Sequence, residues 1–118
     1  MRPLAAILLA VIWTGCRNEP EATPSAGLPV MQASEIKRGQ DACKAYVTRV
    51  CACADSVAAM KHTCDLARAL PDAITVAVDV SAGSDATRRD VLQANRSVRS
   101  IVKQCIEETA KLPAAGCP

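Results

Sequence analysis

The sequence predicts an all-α protein, a small disulfide-stapled bundle of three to four helices that follows a disordered tether. Two long stretches repeat apolar residues every three or four positions, which is the spacing of an amphipathic helix. Only one segment alternates like a strand, and a lone strand would leave its backbone unpaired. The chain has 118 residues, which is enough for one small domain and not for two.

The composition excludes several function classes. The chain has no Phe, one Trp, one Tyr and one His, and its formal net charge is +2. Base-stacking platforms need aromatic side chains, and sites with several imidazoles need more than one His. A net charge this small does not steer a polyanion. We therefore predict no nucleic-acid partner, no cofactor and no enzymatic activity.

The N-terminus has the pattern of an export signal. Met1 and Arg2 are followed by an apolar run from Pro3 to Trp13, and this run is shorter than the roughly 20 residues of a membrane span. The small residues that precede Cys16 resemble the lipobox of bacterial lipoproteins. The resemblance implies that the signal peptide (1–15) is removed and that Cys16 is lipidated. Trp13 stands where the family usually has Leu, and the alternative is ordinary signal cleavage with a free Cys16.

A tether is predicted to follow the lipidated cysteine. Residues 16–33 contain three Pro with small and charged residues, which cannot bury a core, so they are expected to reach about 20 to 25 Å. Many inner-membrane lipoproteins have Asp after the lipidated Cys, whereas Arg17 stands here. The resemblance therefore implies an exported protein that is anchored at the periplasmic face of the outer membrane.

The remaining six cysteines predict three disulfides in the helical domain (34–118), because export places them in an oxidising compartment. A first helix is expected over 34–57, with Ser34 as its N-cap and Cys43 in its apolar stripe. Cys51 and Cys53 lie about 80° to either side of Cys43, so each is expected to reach a different neighbour.

A last long helix is predicted over 85–112, capped by Ser84 or Asp85. If it packs antiparallel to the first helix, Cys51 faces Cys105 and the C-terminal tail returns beside Cys43. We therefore predict three pairs, with an exchange of Cys51 and Cys53 as the nearest alternative. The predicted pairs are Cys43–Cys117, Cys51–Cys105 and Cys53–Cys64.

The region between the long helices is predicted to hold a short helix over 61–70 and a further segment from Pro71. In that segment Ile74, Val76, Val78 and Val80 alternate as in a strand. Pro71 and Asp72 suit the first turn of a helix, and the chain offers no second strand. We therefore predict a helix.

Two sets of residues are candidates for a functional site. Cys51, Cys53, His62 and Cys64 have ligand types that suit Zn²⁺ or thiol–disulfide chemistry, although half-cystines and a surface His explain the same residues. The second set lies opposite the apolar stripe of the last helix and suits an acidic partner or anionic lipid, although an ordinary solvated helix face explains the same residues. This second set consists of Arg89, Arg96, Arg99 and Lys103.

These observations favour a non-enzymatic, lipid-anchored module of the cell envelope. It is expected to contact the membrane through its N-terminal lipid and to bind an unidentified envelope protein or component. The alternative hypothesis is a periplasmic thiol-redox or metal-handling protein that uses Cys51, Cys53, His62 and Cys64. The cysteine spacing resembles the small, uncharacterised cysteine-rich lipoproteins of Gram-negative bacteria, a likeness that implies no activity.

Overall fold

A computed structural model describes residues 30–118, which form four α-helices and two 3₁₀ turns. The predicted all-α, disulfide-stapled bundle is therefore confirmed. Within these residues no helix is both long and apolar enough to cross a membrane. The helices are α1 (Ala33–Ala54), α2 (Lys61–Ala67), α3 (Ala69–Ala82) and α4 (Arg88–Lys111), and the 3₁₀ turns are Ala58–Met60 and Pro113–Ala115.

The two long helices, α1 and α4, run parallel, so the antiparallel arrangement predicted from the sequence is wrong. Glu35, near the N-terminal end of α1, lies 3.5 Å from Arg99 in the middle of α4. Further along both helices, Cys43 is bonded to Cys105. The physical reason is the helix between them: α3 carries the chain back along the bundle, so α4 starts from the end at which α1 started.

The parallel packing also overturns the predicted disulfide pairs. In parallel helices the facing residues keep a constant difference in number, and the two long-range bonds have sequence separations of 62 and 64. The third bond spans only 13 residues. The predicted pairs Cys43–Cys117, Cys51–Cys105 and Cys53–Cys64 are wrong, and the observed pairs are Cys43–Cys105, Cys51–Cys64 and Cys53–Cys117.

Helix α1 contributes one cysteine to every disulfide and is the centre of the scaffold. Cys43 is bonded to α4, Cys51 to α2 and Cys53 to the C-terminal tail. The prediction that Cys51 and Cys53 reach different neighbours is therefore confirmed. The tail returns to α1 through Gly116, whose φ of +85° lies in the left-handed region that favours glycine.

The connecting region is helical, as predicted, but the helix boundaries differ from those expected. Helix α2 ends at Ala67 rather than near residue 70, and α3 begins at Ala69, with Pro71 in its first turn. In α3, Ile74 is fully buried while Val76 is 62% exposed. The aliphatic residues that alternate as in a strand therefore lie on opposite sides of a helix.

The ends of the long helices also differ from the predictions. Helix α1 begins at Ala33 after Gln32, so Ser34 is not its N-cap, and it ends at Ala54 rather than at 57. Helix α4 is capped by Thr87, not by Ser84 or Asp85. The Thr87 side chain accepts a hydrogen bond from the Asp90 backbone N–H, while the Asp90 carboxylate accepts one from the Thr87 backbone N–H.

The core is built from small aliphatic side chains and sulfur. Five of the six disulfide cysteines are buried, and Tyr46 is the one aromatic side chain in the described part of the chain. Small side chains bury less apolar area than Phe or Trp, so covalent bonds contribute a larger share of the stability. The side chains most completely buried are Ile74, Val50, Val91, Val98, Cys43 and Cys105.

Candidate functional site

The cysteine and histidine set proposed for metal or thiol chemistry is divided between two disulfides. Cys51 is bonded to Cys64, and Cys53 is bonded to Cys117. His62 lies exposed on α2. Among residues 30–118 no three His, Cys, Asp or Glu side chains lie together in a metal-binding arrangement. In this structure the four residues therefore act as scaffold and surface.

The lipidation site Cys16 and the tether before residue 30 lie outside the described residues. The described chain enters the bundle at Val30, which is half exposed, and Met31, which is buried. Met31 packs beside the N-terminal end of α1, close to the middle of α4. The position of the N-terminal entry is thus fixed relative to the surfaces of the bundle.

A largely apolar groove that was not predicted from the sequence runs between α3 and α4. We call it the α3–α4 groove; it encloses about 490 Å³. Val76 and Val80 stand on its α3 side and are 62% and 51% exposed. Large aliphatic side chains left in solvent around a concave surface are typical of binding sites. The groove is lined by Ala73, Val76, Ala77, Val80, Asp90, Gln93, Ala94, Ser97 and Ile101.

The α3–α4 groove has one charged wall. Asp90 accepts hydrogen bonds from the Thr87 hydroxyl at 2.7 Å and from the Thr87 backbone N–H at 2.9 Å. These hydrogen bonds hold the pKa of the Asp90 carboxyl below its usual value. The hydrogen bond from the Thr87 hydroxyl has the larger effect, and that from the Thr87 backbone N–H adds to it. A ligand in this groove would therefore meet small apolar side chains beside a fixed negative charge.

An indirect indication of this groove is present in the sequence of α3. Residues at positions 74, 76, 78 and 80 cannot all face one side of a helix, since successive members are about 200° apart. A helical interpretation of the segment therefore requires some of these side chains to lie on the outer face. Val76 and Val80 are the two that the structure leaves more than half exposed.

The basic residues predicted on the last helix do share one exposed face of α4. Arg89, Arg96, Arg99 and Lys103 are all exposed. Two of them have carboxylate neighbours: Arg99 lies 3.5 Å from Glu35, and Lys103 lies 3.7 Å from Glu107. In both ion pairs the cation and the carboxylate remain at least 39% exposed. Solvent-exposed ion pairs of this kind stabilise a fold by roughly 0 to 1 kcal/mol.

A second concave surface adjoins this face, between the start of α1 and the middle of α4. It encloses about 370 Å³, with Met31, Val102 and Ile106 as its apolar walls. Charged side chains form its rim: Glu35 and Glu107 beside Arg99 and Lys103. The N-terminal entry of the domain and the basic residues of α4 are therefore neighbours on one side of the bundle.

The C-terminal half of α4 holds the adjacent carboxylates Glu107 and Glu108, which point to different neighbours. Glu107 lies near Lys103, and Glu108 accepts a 2.7 Å hydrogen bond from Lys111. That bond raises the pKa of the Lys111 ammonium, while burial raises the pKa of Tyr46 nearby. The two carboxylates therefore do not form the facing pair that acid–base catalysis requires.

Residues 30–118 thus form a disulfide-stapled helical bundle that carries the α3–α4 groove, the concave surface beside Met31 and a basic face on α4. No family model, curated protein or solved structure matches the chain.

Proposed function

We propose that this protein is a lipid-anchored, non-enzymatic binding module of the cell envelope, exported and held at the periplasmic face of the outer membrane through Cys16. Its partner would be an envelope protein that presents a short apolar segment. The bundle would act as a rigid support, and the α3–α4 groove would be the binding surface.

The observation that carries this proposal is the exposure of Val76 and Val80 beside the groove. Burying these side chains against a partner would remove apolar surface from water, at roughly 25 cal/mol per Å² of buried area. The α4 wall of the groove is also held in place, because Cys105 of α4 is bonded to Cys43 of α1. A support that is already ordered loses less conformational entropy when it binds.

The alternative role in thiol-redox or metal handling requires a different covalent state. Both Cys51–Cys64 and Cys53–Cys117 would have to be reduced before Cys51, Cys53 and Cys64 could present thiolates beside His62. The intact mass of the purified protein separates the two roles. A loss of six hydrogens with no titratable thiol supports the scaffold, whereas retained thiols with bound metal would overturn it.

Site-specific photocrosslinking tests the binding surface. A photoreactive amino acid is placed at position 76 of the full chain in cells, and a matched control carries it at position 66, where Leu66 of α2 is also 62% exposed. We expect a discrete crosslinked product from position 76 only, and its loss when Val80→Asp is added. Equal products from both positions, or a product that Val80→Asp leaves unchanged, would contradict the proposed surface.

Cell fractionation tests the anchor separately. The unchanged chain is expected in the outer-membrane fraction, labelled by a fatty-acid precursor. Cys16→Ser is expected to lose the label and to leave that fraction. A Cys16→Ser protein that stays in the membrane with full yield would overturn lipidation as the means of attachment, without bearing on the α3–α4 groove.

A further inference from the structure

The outward surface of α4 combines cations with exposed aliphatic side chains. Leu92 and Ile106 are 42% and 58% exposed, and they lie near opposite ends of the row of basic residues. Fourteen residues of helix separate them, which is about 21 Å along the axis. We call this surface the α4 basic face; it consists of Arg88, Arg89, Leu92, Arg96, Arg99, Lys103 and Ile106.

The members of the α4 basic face form a continuous stripe. From Arg89 onward they follow steps of three and four residues, and the whole set spans about 100° of the helix circumference. The opposite side of α4 is the buried one, with Val91, Ala94 and Val98 in the core. The stripe therefore faces away from the bundle along most of the helix.

The charge of this face is positive even after its acidic neighbours are counted. Five cations lie on it, and the carboxylates of Glu35 and Glu107 lie beside two of them, which leaves three net positive charges. Basic residues close to an anionic membrane surface each strengthen binding to it. Exposed aliphatic side chains among cations are typical of helices that lie in the plane of a membrane interface.

The N-terminal entry of the domain lies on the same side. Met31 contacts the concave surface that Arg99, Lys103 and Ile106 also line. The sequence places Cys16 fourteen residues before Val30. A lipid attached at Cys16 would thus draw this side of the bundle toward the bilayer, and a short tether raises the effective concentration of the attached surface.

We propose that the α4 basic face lies on a bilayer surface rich in anionic headgroups, with Leu92 and Ile106 entering the interfacial region. This proposal rests on the lipid anchor of the proposed function. It orients the protein: α4 faces the membrane, while the exposed side of α3, with Val76 and Val80, remains accessible to a partner.

Tryptophan fluorescence on vesicles tests the orientation. The lipidated protein, from which the signal peptide and Trp13 have been removed, carries Ile106→Trp in one variant and Leu66→Trp as the matched control, so that each protein has one Trp. Each protein is reconstituted in phosphatidylcholine vesicles, with or without phosphatidylglycerol, and with brominated acyl chains as quenchers. We expect Ile106→Trp to shift its emission to shorter wavelength and to be quenched only when phosphatidylglycerol is present. Leu66→Trp should show neither change.

Charge variants test the cause of the shift. Replacing Arg96, Arg99 and Lys103 by Gln is expected to abolish the shift, as is high salt, which screens exposed charges. Replacing Lys44, Lys61 and Arg68 by Gln removes the same charge from exposed positions elsewhere and should leave the shift intact. A shift that is equal on both vesicle types, or equally lost in both triple variants, would overturn the proposal.

Vesicle flotation distinguishes a failure of the anchor from a failure of the face. Protein that floats with phosphatidylcholine vesicles but shows no shift with phosphatidylglycerol overturns the face and leaves the anchor standing. Protein that does not float with phosphatidylcholine overturns the anchor, and the face is then tested by titrating phosphatidylglycerol vesicles into the same protein. If Ile106→Trp does not fold, Leu92→Trp replaces it, with the same expected result.

Discussion

Gly39 of α1 lies directly against Val102 of α4. A Cβ atom at position 39 would stand 2.5 Å from Cγ2 of Val102, closer than real carbon atoms approach each other. The absence of a side chain at Gly39 therefore allows the two parallel helices to approach closely, four residues before Cys43 is bonded to Cys105. Val102 is β-branched and stiff, so it has little freedom to move aside.

We expect Gly39→Ala to destabilise the protein. Overpacking a close contact costs typically 1 to 3 kcal/mol, and Ala regains about 1 kcal/mol of helix propensity over Gly, so the free energy of unfolding should fall by up to about 2 kcal/mol. Chemical denaturation of the oxidised full chain measures this change. The double variant Gly39→Ala, Val102→Ala should lose less stability than the two single changes added together.

Gly83→Ala provides the matched control for this prediction. Gly83 has a φ of −60°, and a Cβ there would meet its nearest atom at 3.4 Å, an ordinary contact. The free energy of unfolding of the Gly83→Ala variant should equal that of the unchanged protein or be slightly higher, because Ala restricts the conformations of the unfolded chain. Additive effects of Gly39→Ala and Val102→Ala would show that the helices do not meet at this point.

The disulfide pairs give a prediction that peptide mapping tests directly. Trypsin cleaves after Lys and Arg, so without reduction the structure predicts that peptide 39–44 is joined to 104–111 alone. The three remaining cysteine peptides should form one separate cluster, held by the other two bonds. Those peptides are 50–61, 62–68 and 112–118.

The antiparallel arrangement would give a different pattern. It joins peptide 39–44 to peptide 112–118, and it joins peptide 50–61 to both 104–111 and 62–68. This pattern is the same whether Cys51 or Cys53 is bonded to Cys105, because both lie in peptide 50–61. A mass that corresponds to 39–44 with 112–118 would therefore contradict the parallel packing of α1 and α4. Reduction before digestion is the control, since it should release all five peptides singly.

The sequence was sufficient to predict helices and a sulfur-rich core, but not the direction in which the helices run. Helical spacing around Cys43 indicates which face of α1 is buried. The positions of Cys51 and Cys53 on either side of that face correctly predict that the two cysteines are bonded to different parts of the chain. Parallel and antiparallel packing bury the same stripe, so periodicity does not distinguish them. The direction depends on the path of α3, which was predicted as a helix but whose direction the spacing of apolar residues does not specify.

The candidate surfaces were predicted in part. The basic residues of α4 were found because charge opposite an apolar stripe can be read from helical geometry alone. The α3–α4 groove was missed, because its walls come from two helices and its shape depends on how they pack. The cap of α4 was placed two or three residues early, since Ser84, Asp85 and Thr87 are all suitable N-cap residues and the backbone geometry selects Thr87.

Two substitutions distinguish these caps. Thr87→Ala should lower the free energy of unfolding by about 1 kcal/mol, because it removes the acceptor for the Asp90 backbone N–H. Ser84→Ala should have almost no effect, since residue 84 lies outside the helix and is exposed. Urea unfolding at neutral pH measures both changes. The opposite ranking of the two variants would restore Ser84 as the cap.

The same capping box predicts an acid-dependent part of the stability. Hydrogen bonds from Thr87 lower the pKa of Asp90 in the folded protein below that of an unfolded Asp, about 3.9. The folded state binds the proton less tightly, so the ionised carboxylate stabilises the fold above the unfolded pKa. That stabilisation is lost as the pH falls through the folded pKa.

Asp90→Asn should therefore be less stable than the unchanged protein at pH 6, and the difference should shrink as the pH falls through the folded pKa of Asp90, below which the carboxyl is protonated in both states. Unfolding curves at a series of pH values measure the difference, and subtraction cancels the contribution of the other carboxyl groups. In a Thr87→Ala background the pH-dependent difference should be smaller, because the hydrogen bonds of the Thr87 hydroxyl with Asp90 are gone. A difference that grows as the pH falls would require the folded pKa of Asp90 to lie above the unfolded one, and so would contradict the capping box as the cause.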